Sequence, residues 1–449
     1  MYMGDGEGKI ERAVKRRYIK MKDENNLYWI WLSERLGTAS KAFPRLIEKY
    51  DNPYEIYRLD TEETDRLEGL SERLKSKLCD KSLENAYSIL KYCRKSGVEI
   101  IGYGDARYPS RLKNIEDPPV LLYCLGKMPD MDRRLCMGMV GTRKMSEYGK
   151  QTAYKISYEL GAANVCVVSG MALGIDAVCA CGALESGGTT VAVLGSGISV
   201  VYPKEHKKLM SAITRHGAVI TEYPPFERPN RGNFPKRNRI ISGLCQGAVV
   251  IEGVKGSGAL ITAEKAISQG RELFALPGMV GQNNSEGPND LIRNGANVVR
   301  SAQDIIEHYD FLYHDAINYR GLSKAKSNSE YNEKILKKYG VSPVYNNGRY
   351  EQVKSADDIE DISIPTDEAP QNVDNVKKSI YRPDNSEAIL AALDDSTRRV
   401  FSLIPDGAAF TPDVVAAQGI DVGDVITALT MLEISGLITS LPGGMYVRK

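Results

Sequence analysis

Residues 234–278 read FPKRNRIISGLCQGAVVIEGVKGSGALITAEKAISQGRELFALPG, and their pattern decides the fold. A basic cluster (Lys236, Arg237, Arg239) opens an apolar-periodic helix that ends near Gln246-Gly247. A short apolar run at 248–251 then stops at Glu252-Gly253. The turn Gly256-Ser257-Gly258 leads into a second helix, from Ala259 to about Gln269. Another apolar run, 273–276, closes at Pro277-Gly278. Short buried runs alternating with helices of about ten residues predict a parallel α/β sheet. Gly-rich turns at the carboxyl ends of such strands lie where these sheets bind ligands. Cations and bare backbone amides gathered at one edge suit phosphate.

Working outward, the same alternation runs upstream. Candidate strands fall at 98–101, 120–123, 137–140, 165–168, 191–194 and 219–220, and Val298-Val299 follows the quoted stretch. They predict an α/β fold: an extended Rossmann-like, doubly wound, mostly parallel sheet spanning residues 98–310. Residues 27–97 carry short helical patterns and read as a small helical domain, SAM-like or helix-hairpin-helix-like. Its Gly37 is followed by Thr-Ala-Ser rather than by the glycine such hairpins present to a phosphate, which favours a packing or interaction role. Residues 1–26 form a basic tail, with seven Lys/Arg against one Glu between 9 and 22, read as solvated. Residues 311–385 are polar, lack a sustained apolar period and read as a mostly disordered linker. From 386 to 449, three helices (397–404, 412–418, 422–436) and a small hairpin spell a winged helix. Its third helix offers Asp424 and Glu433 and no Lys or Arg, so a protein contact is favoured over duplex reading.

The 449 residues carry 59 basic and 58 acidic side chains, so attraction to an acidic partner must come from local patches. No signal peptide or membrane span is evident, and the eight scattered cysteines read as buried thiols of a reducing, cytoplasmic compartment. No metal-ligand spacing, nucleophile elbow or GxxxxGK[ST] loop occurs. No cofactor, metal or catalytic residue is therefore expected, and the chain does not read as an enzyme.

Two further strand ends carry candidate chemistry. Residues 169–176, SGMALGID, place Ser169, Gly170, Met171, Ala172 and Gly174 between a buried strand and a helix start, a setting for phosphate or simply a tight turn. Arg143 follows another strand-end glycine. Between Phe226 and Arg239 five basic residues are interleaved with Phe226 and Phe234, a pattern that fits a single strand, whose phosphates meet charge while its bases stack on rings. The alternative places Phe234 in the core and the cations on a solvated face. Asp176, Glu222, Glu252 and Glu264 lie near strand ends or helix starts, where capping and loop hydrogen bonds account for them as well as an acid/base pair would.

With these residues laid out, the chain resembles the DprA/Smf family of DNA-processing proteins. The resemblance runs through VGTRKMSEYG (140–149), SGMALGID (169–176), AVLGSGISVVYP (192–203), ITEYPPF (220–226), FPKRNRIISGL (234–244), SGALITAEKA (257–266), ALPG (275–278) and GPNDLIRNGA (287–296). It implies a cytoplasmic homodimer that binds single-stranded DNA with little sequence preference and loads RecA recombinase onto it in DNA uptake, natural transformation and recombination. By motif, Arg143 and the amides of residues 169–174 would contact phosphate. Lys236, Arg237 and Arg239 would line the same pocket with Phe234 at its edge, joined by Lys204 and by Ser257 and Gly258. His206 stands where the family's pattern has asparagine. Two other readings stay open: a nucleoside-monophosphate-handling Rossmann enzyme of the lysine-decarboxylase-like type, and a protein-interaction scaffold. The enzyme type uses a PGGxGTxxE segment, and residues 252–260 here, EGVKGSGAL, lack its glutamate.

Overall fold

The computed structural model describes residues 25–342, residues 395–404 and parts of 411–448. Nearly all of the basic tail, the stretch 343–394 and most of the second and third helices expected at the C-terminus lie outside the described residues. The chain divides into two units, 1–364 and 365–449.

In the first unit the apolar runs become a nine-stranded sheet: β1 Glu99–Gly102, β2 Leu121–Gly126, β3 Cys136–Val140, β4 Cys166–Ser169, β5 Thr190–Val193, β6 Ala218–Thr221, β7 Gly247–Val250, β8 Glu272–Ala275 and β9 Asn297–Val298. Their order is β1-β2-β6-β5-β4-β3-β7-β8-β9. β1 and β2 pair antiparallel at one edge, and from β6 to β9 every pairing is parallel. Side chains alternate between two cores, as the two-residue period of a strand dictates. Met137 and Met139 enter the core beneath helices Glu147–Ala162 and Ile175–Glu185, while Cys136 and Val140 enter the one beneath Asn233–Gly243 and Gly258–Ser268. Helices on both faces leave no solvated side, which is why these strands read as unbroken apolar runs.

The N-terminal helices, beginning with 25–36, share the first of those cores. Trp29 packs so closely that a Cβ on Gly102 would stand 2.7 Å from its ring. Phe43 meets Tyr103 edge-on at 5.1 Å, and Tyr92 meets Phe226 at 4.5 Å. The turn after Gly37 faces inward: the Ala39 amide donates to Glu222, and Thr38 bonds the Tyr223 hydroxyl. Thr38 and Ala39 of that turn are thus used in packing, while Gly37 itself is exposed.

The expectation of a linker from residue 311 needs correcting over its first thirty residues. Helix Ala302–Tyr313 runs past that boundary, and helices Tyr319–Asn328 and Glu333–Lys338 follow. Leu322, Leu336 and Val341 are buried against the main core, and Ala325 is buried as well. The Asn318 amide bonds the Ala163 carbonyl at 2.9 Å, and Lys338 pairs with Glu185 at 2.6 Å. With one small apolar residue per turn the segment shows no strong period. It is held because helices 147–162 and 175–185 offer a ready surface, partly through glycine: a Cβ on Gly321 would strike the Ala162 carbonyl.

The second unit contains helix Asp395–Leu403 and an antiparallel hairpin, Ile438–Leu441 with Met445–Arg448. Its core gathers Val400, Phe401, Val425, Leu429 and Leu432, so the apolar face of the acidic third segment is directed into its own fold. Among the described residues no helix is long and apolar enough to cross a membrane.

Candidate nucleic-acid interface

The sheet's connections diverge at β3 and β7: β3 leads toward β4 on one side, while β7 leads toward β8 on the other. A crevice opens at the carboxyl ends of such neighbours. Here it is a cavity of about 430 Å³. Arg143 and Lys144 reach it from the turn after β3, Ala172 and Asp176 from the turn after β4, and Ser257 and Gly258 from the turn after β7. Arg231, Phe234 and Arg237 come from the entry and first turn of helix Asn233–Gly243.

Each wall has a local cause. Ser146 caps helix Glu147–Ala162, accepting from the Gly149 amide at 3.0 Å, which sets the exit angle of the Arg143 turn. Buried Glu252 then ties that turn down: it accepts from the Ser146 amide at 2.9 Å and from the Ser146 hydroxyl. Its own carbonyl receives the Thr142 amide at 2.8 Å. Gly174 has φ +80°, a conformation that favours glycine, and a Cβ there would strike the Thr142 carbonyl.

Arg237 is a buried clamp. Its guanidinium donates to the Gly170 carbonyl at 2.9 Å, to the Val193 carbonyl, and through Nε to Asn238 at 3.1 Å. Burial lowers its pKa to about 10, with Asp176 opposing the change, so it stays charged at neutral pH. Asp176 is buried too, and burial raises its carboxyl above the ordinary aspartate value against the pull of Arg237. Phe234 stands between the cations: Arg143 lies 5.5 Å and Arg237 5.9 Å from its ring centre, with Tyr202 behind it at 5.6 Å. The Ser257 hydroxyl does not cap helix Gly258–Ser268 and has no hydrogen-bond partner although it is buried at the cavity wall.

Of the sequence candidates, Arg143, Ala172, Phe234, Arg237, Ser257 and Gly258 line this one cavity. Others need correcting. Arg239 points away: it is 1% exposed and pairs with Glu222 at 2.7 Å and Asp117 at 3.2 Å. Residues two apart on a helix project about 200° apart, so Arg237 and Arg239 are bound to face opposite sides. Lys236 and Lys204 are exposed outside the lining. The amides of the Ser169 turn are not bare. Gly170 donates to the Asp176 carboxylate at 3.0 Å, the Ala172 amide bonds it as well, and the Ser169 hydroxyl is turned to the Asp176 carbonyl at 3.3 Å. An internal carboxylate thus occupies the place read as a phosphate nest. Met171 and Gly174 shape the turn beneath the lining. His206 buttresses it, with Nδ1 3.0 Å from the Met171 carbonyl, and burial lowers its pKa, keeping it neutral.

Sequence reasoning left Lys144, Arg231 and Asn238 out of the site. Lys144 had a signal, being adjacent to Arg143 on the same turn, and Arg231 lay within the basic run. Asn238 had none, because its role is to join Arg237 to the Gly258 carbonyl (3.1 Å) from the far end of the cavity. Of the four acids near strand ends, Asp176, Glu222 and Glu252 hold loop amides or a buried arginine, and Glu264 is exposed.

The close fit at Gly170 gives a direct test. A Cβ there would collide with the Arg237 guanidinium. Gly170→Ala is expected to lose about 1–3 kcal/mol of stability by overpacking, read as an earlier thermal transition.

Residues 99–310 match the family model for DNA recombination-mediator protein A, and residues 384–444 match that for the DprA winged helix domain. DNA processing protein DprA of Bacillus subtilis is 38% identical over 219 residues, covering 49% of this chain and 74% of the relative. The X-ray structure of DNA processing protein A from Streptococcus pneumoniae superposes with a TM-score of 0.55 at 33% identity, covering 63% of this chain and 97% of that one. DNA processing protein A from Helicobacter pylori, solved to describe its single-stranded DNA binding mode, is similar at 28% identity with a TM-score of 0.43, over 47% of this chain and 94% of that one. With a nine-stranded, mostly parallel sheet behind N-terminal helices and a matching C-terminal module, the chain belongs to the DprA/Smf family of DNA-processing recombination mediators.

Proposed function

We propose that this chain binds single-stranded DNA at the β3–β7 crevice and delivers it to the RecA recombinase; a single-stranded DNA binding mode is described for the Helicobacter pylori relative, with no site carried over from it. The observation that carries the reading is the convergence of Arg143, Lys144, Arg231 and Arg237 around the Phe234 ring in one cavity. Cations hold the phosphodiester, and a ring flanked by guanidinium groups accepts an unpaired base without regard to its identity. The unpartnered Ser257 hydroxyl at a helix N-terminus supplies a donor for a phosphate oxygen. Phe311, 96% exposed, and Leu312 stand on helix Ala302–Tyr313, an apolar surface suited to a second copy of the chain or to the recombinase. A hydrolytic reading has less support, because Asp176 is the one acid lining the cavity and already accepts from the turn's amides.

Titrating labelled oligothymidine, duplex and RNA of equal length at several salt concentrations tests the reading. Four lining cations predict a log–log salt slope near −3, at roughly 0.7 per phosphate, with the single strand bound more tightly than the duplex. Equal affinity for duplex, or a flat slope, would refute it.

A further inference from the structure

A second cavity, of about 1030 Å³, is lined from the same turn after β3 as the first. It is walled by Ser146 and Tyr148, by Glu252, by the loop that includes Pro277 and Met279, and by the first turn of helix Asn283–Arg293, which carries Asn284. We propose that it receives a nucleobase of the same strand whose phosphate sits at Arg143. The proposal rests on the single-strand reading above.

Charge separates the two cavities. Four cations line the first, whereas no Lys or Arg lines the second, whose charged groups are Glu147 and Glu252. A phosphate is disfavoured there and a neutral base is not. The Tyr148 ring, 50% exposed, is held in place because its hydroxyl donates to the Pro277 carbonyl at 2.9 Å. A half-bare aromatic ring fixed at its far end presents a face for stacking at little entropic cost. Met279, 74% exposed at the rim, adds apolar surface, and the exposed Gln282 and Asn283 amides offer both donors and acceptors to a base edge.

The two cavities are joined through one short loop. Lys144 lines the first cavity, and Ser146, two residues on, lines the second. The Asn284 side chain donates to the Lys144 carbonyl at 2.8 Å and so bolts the start of helix Asn283–Arg293 to the partition. Glu252 fixes the partition from below through both Ser146 bonds. A strand crossing this ridge passes from a surface that takes its backbone to one that takes its bases.

The test uses the full chain and two labelled oligomers of equal length, oligothymidine and an abasic deoxyribose-phosphate chain. Tyr148→Ala is expected to weaken oligothymidine binding about tenfold, the scale of one lost stack. The salt slope should not change, since no charge is removed. Tyr148→Phe should retain most of the affinity, and the abasic chain should bind wild type and Tyr148→Ala alike. Unchanged oligothymidine affinity in Tyr148→Ala overturns the proposal and leaves the basic crevice standing. An equal loss on the abasic chain also overturns it, by placing the effect in the Arg143 turn. Wild-type protein that binds no oligothymidine at all would take down the single-strand reading and this proposal together.

Discussion

Replacing Arg239 by alanine is expected to lower the unfolding free energy by about 3–5 kcal/mol, the scale for removing one partner of a buried ion pair. The side chain is buried just beyond the carboxyl end of β6, paired with Glu222 at 2.7 Å and Asp117 at 3.2 Å. Without the guanidinium, Glu222 stays buried with only the Ala39 amide to stabilise its charge, and the contact that seats the N-terminal helices loses its centre. At roughly 1.5 °C per kcal/mol for a unit of this size, the thermal midpoint should fall by about 6 °C. Arg239→Ala with Glu222→Gln should recover part of the loss, because the stranded charge has gone. Below its midpoint Arg239→Ala should keep the salt slope of the parent, since Arg239 does not face the crevice. A variant as stable as the parent, or one with a flattened slope, would show that the residue is placed wrongly.

The opposite profile is expected at Arg143, which lies over the Phe234 ring at the cavity mouth. Arg143→Glu removes one phosphate contact and adds a repulsion. Single-strand affinity at low salt should fall roughly a hundredfold, and the slope should flatten by about 1.4, at 0.7 for each unit of charge. Arg143→Lys should keep the slope while losing the guanidinium–ring contact. Thermal stability should fall less than in Arg239→Ala, since Arg143 is half-buried on a turn and faces buried Asp176 without being the chief group that offsets it. Arg237 is a less clean probe of binding: alanine there would also strand the Gly170 and Val193 carbonyls and remove the cation that chiefly offsets buried Asp176. Gel shifts and melts on both arginine variants separate the two roles.

Much of the fold was legible because a strand buried on both faces leaves an unmistakable run, and Gly-rich turns mark its end. Residues 248–251 and 273–276 appear as β7 and β8 displaced by one residue. The crevice was legible too, since strand ends converge wherever the connections of a parallel sheet diverge. The segment beyond 310 was harder to read. Its apolar residues are sparse, and what holds its helices is the surface of helices 147–162 and 175–185, distant in the chain.

Within the site, composition named the cations but not their direction. Lys236, Arg237 and Arg239 make one basic cluster along the chain, yet helical geometry leaves the first in solvent and aims the second at the cavity and the third at Glu222. The amides of residues 169–174 look available until the fold brings Asp176 back against them. The linear order of residues by itself determined the strands, the turns and the amount of charge available, because those follow from local pattern. Which charge meets solvent and which is neutralised inside was decided only by tertiary structure. Partners such as Arg239 with Asp117, or the Asn284 amide with the Lys144 carbonyl, are matched by proximity in space, which no local pattern encodes.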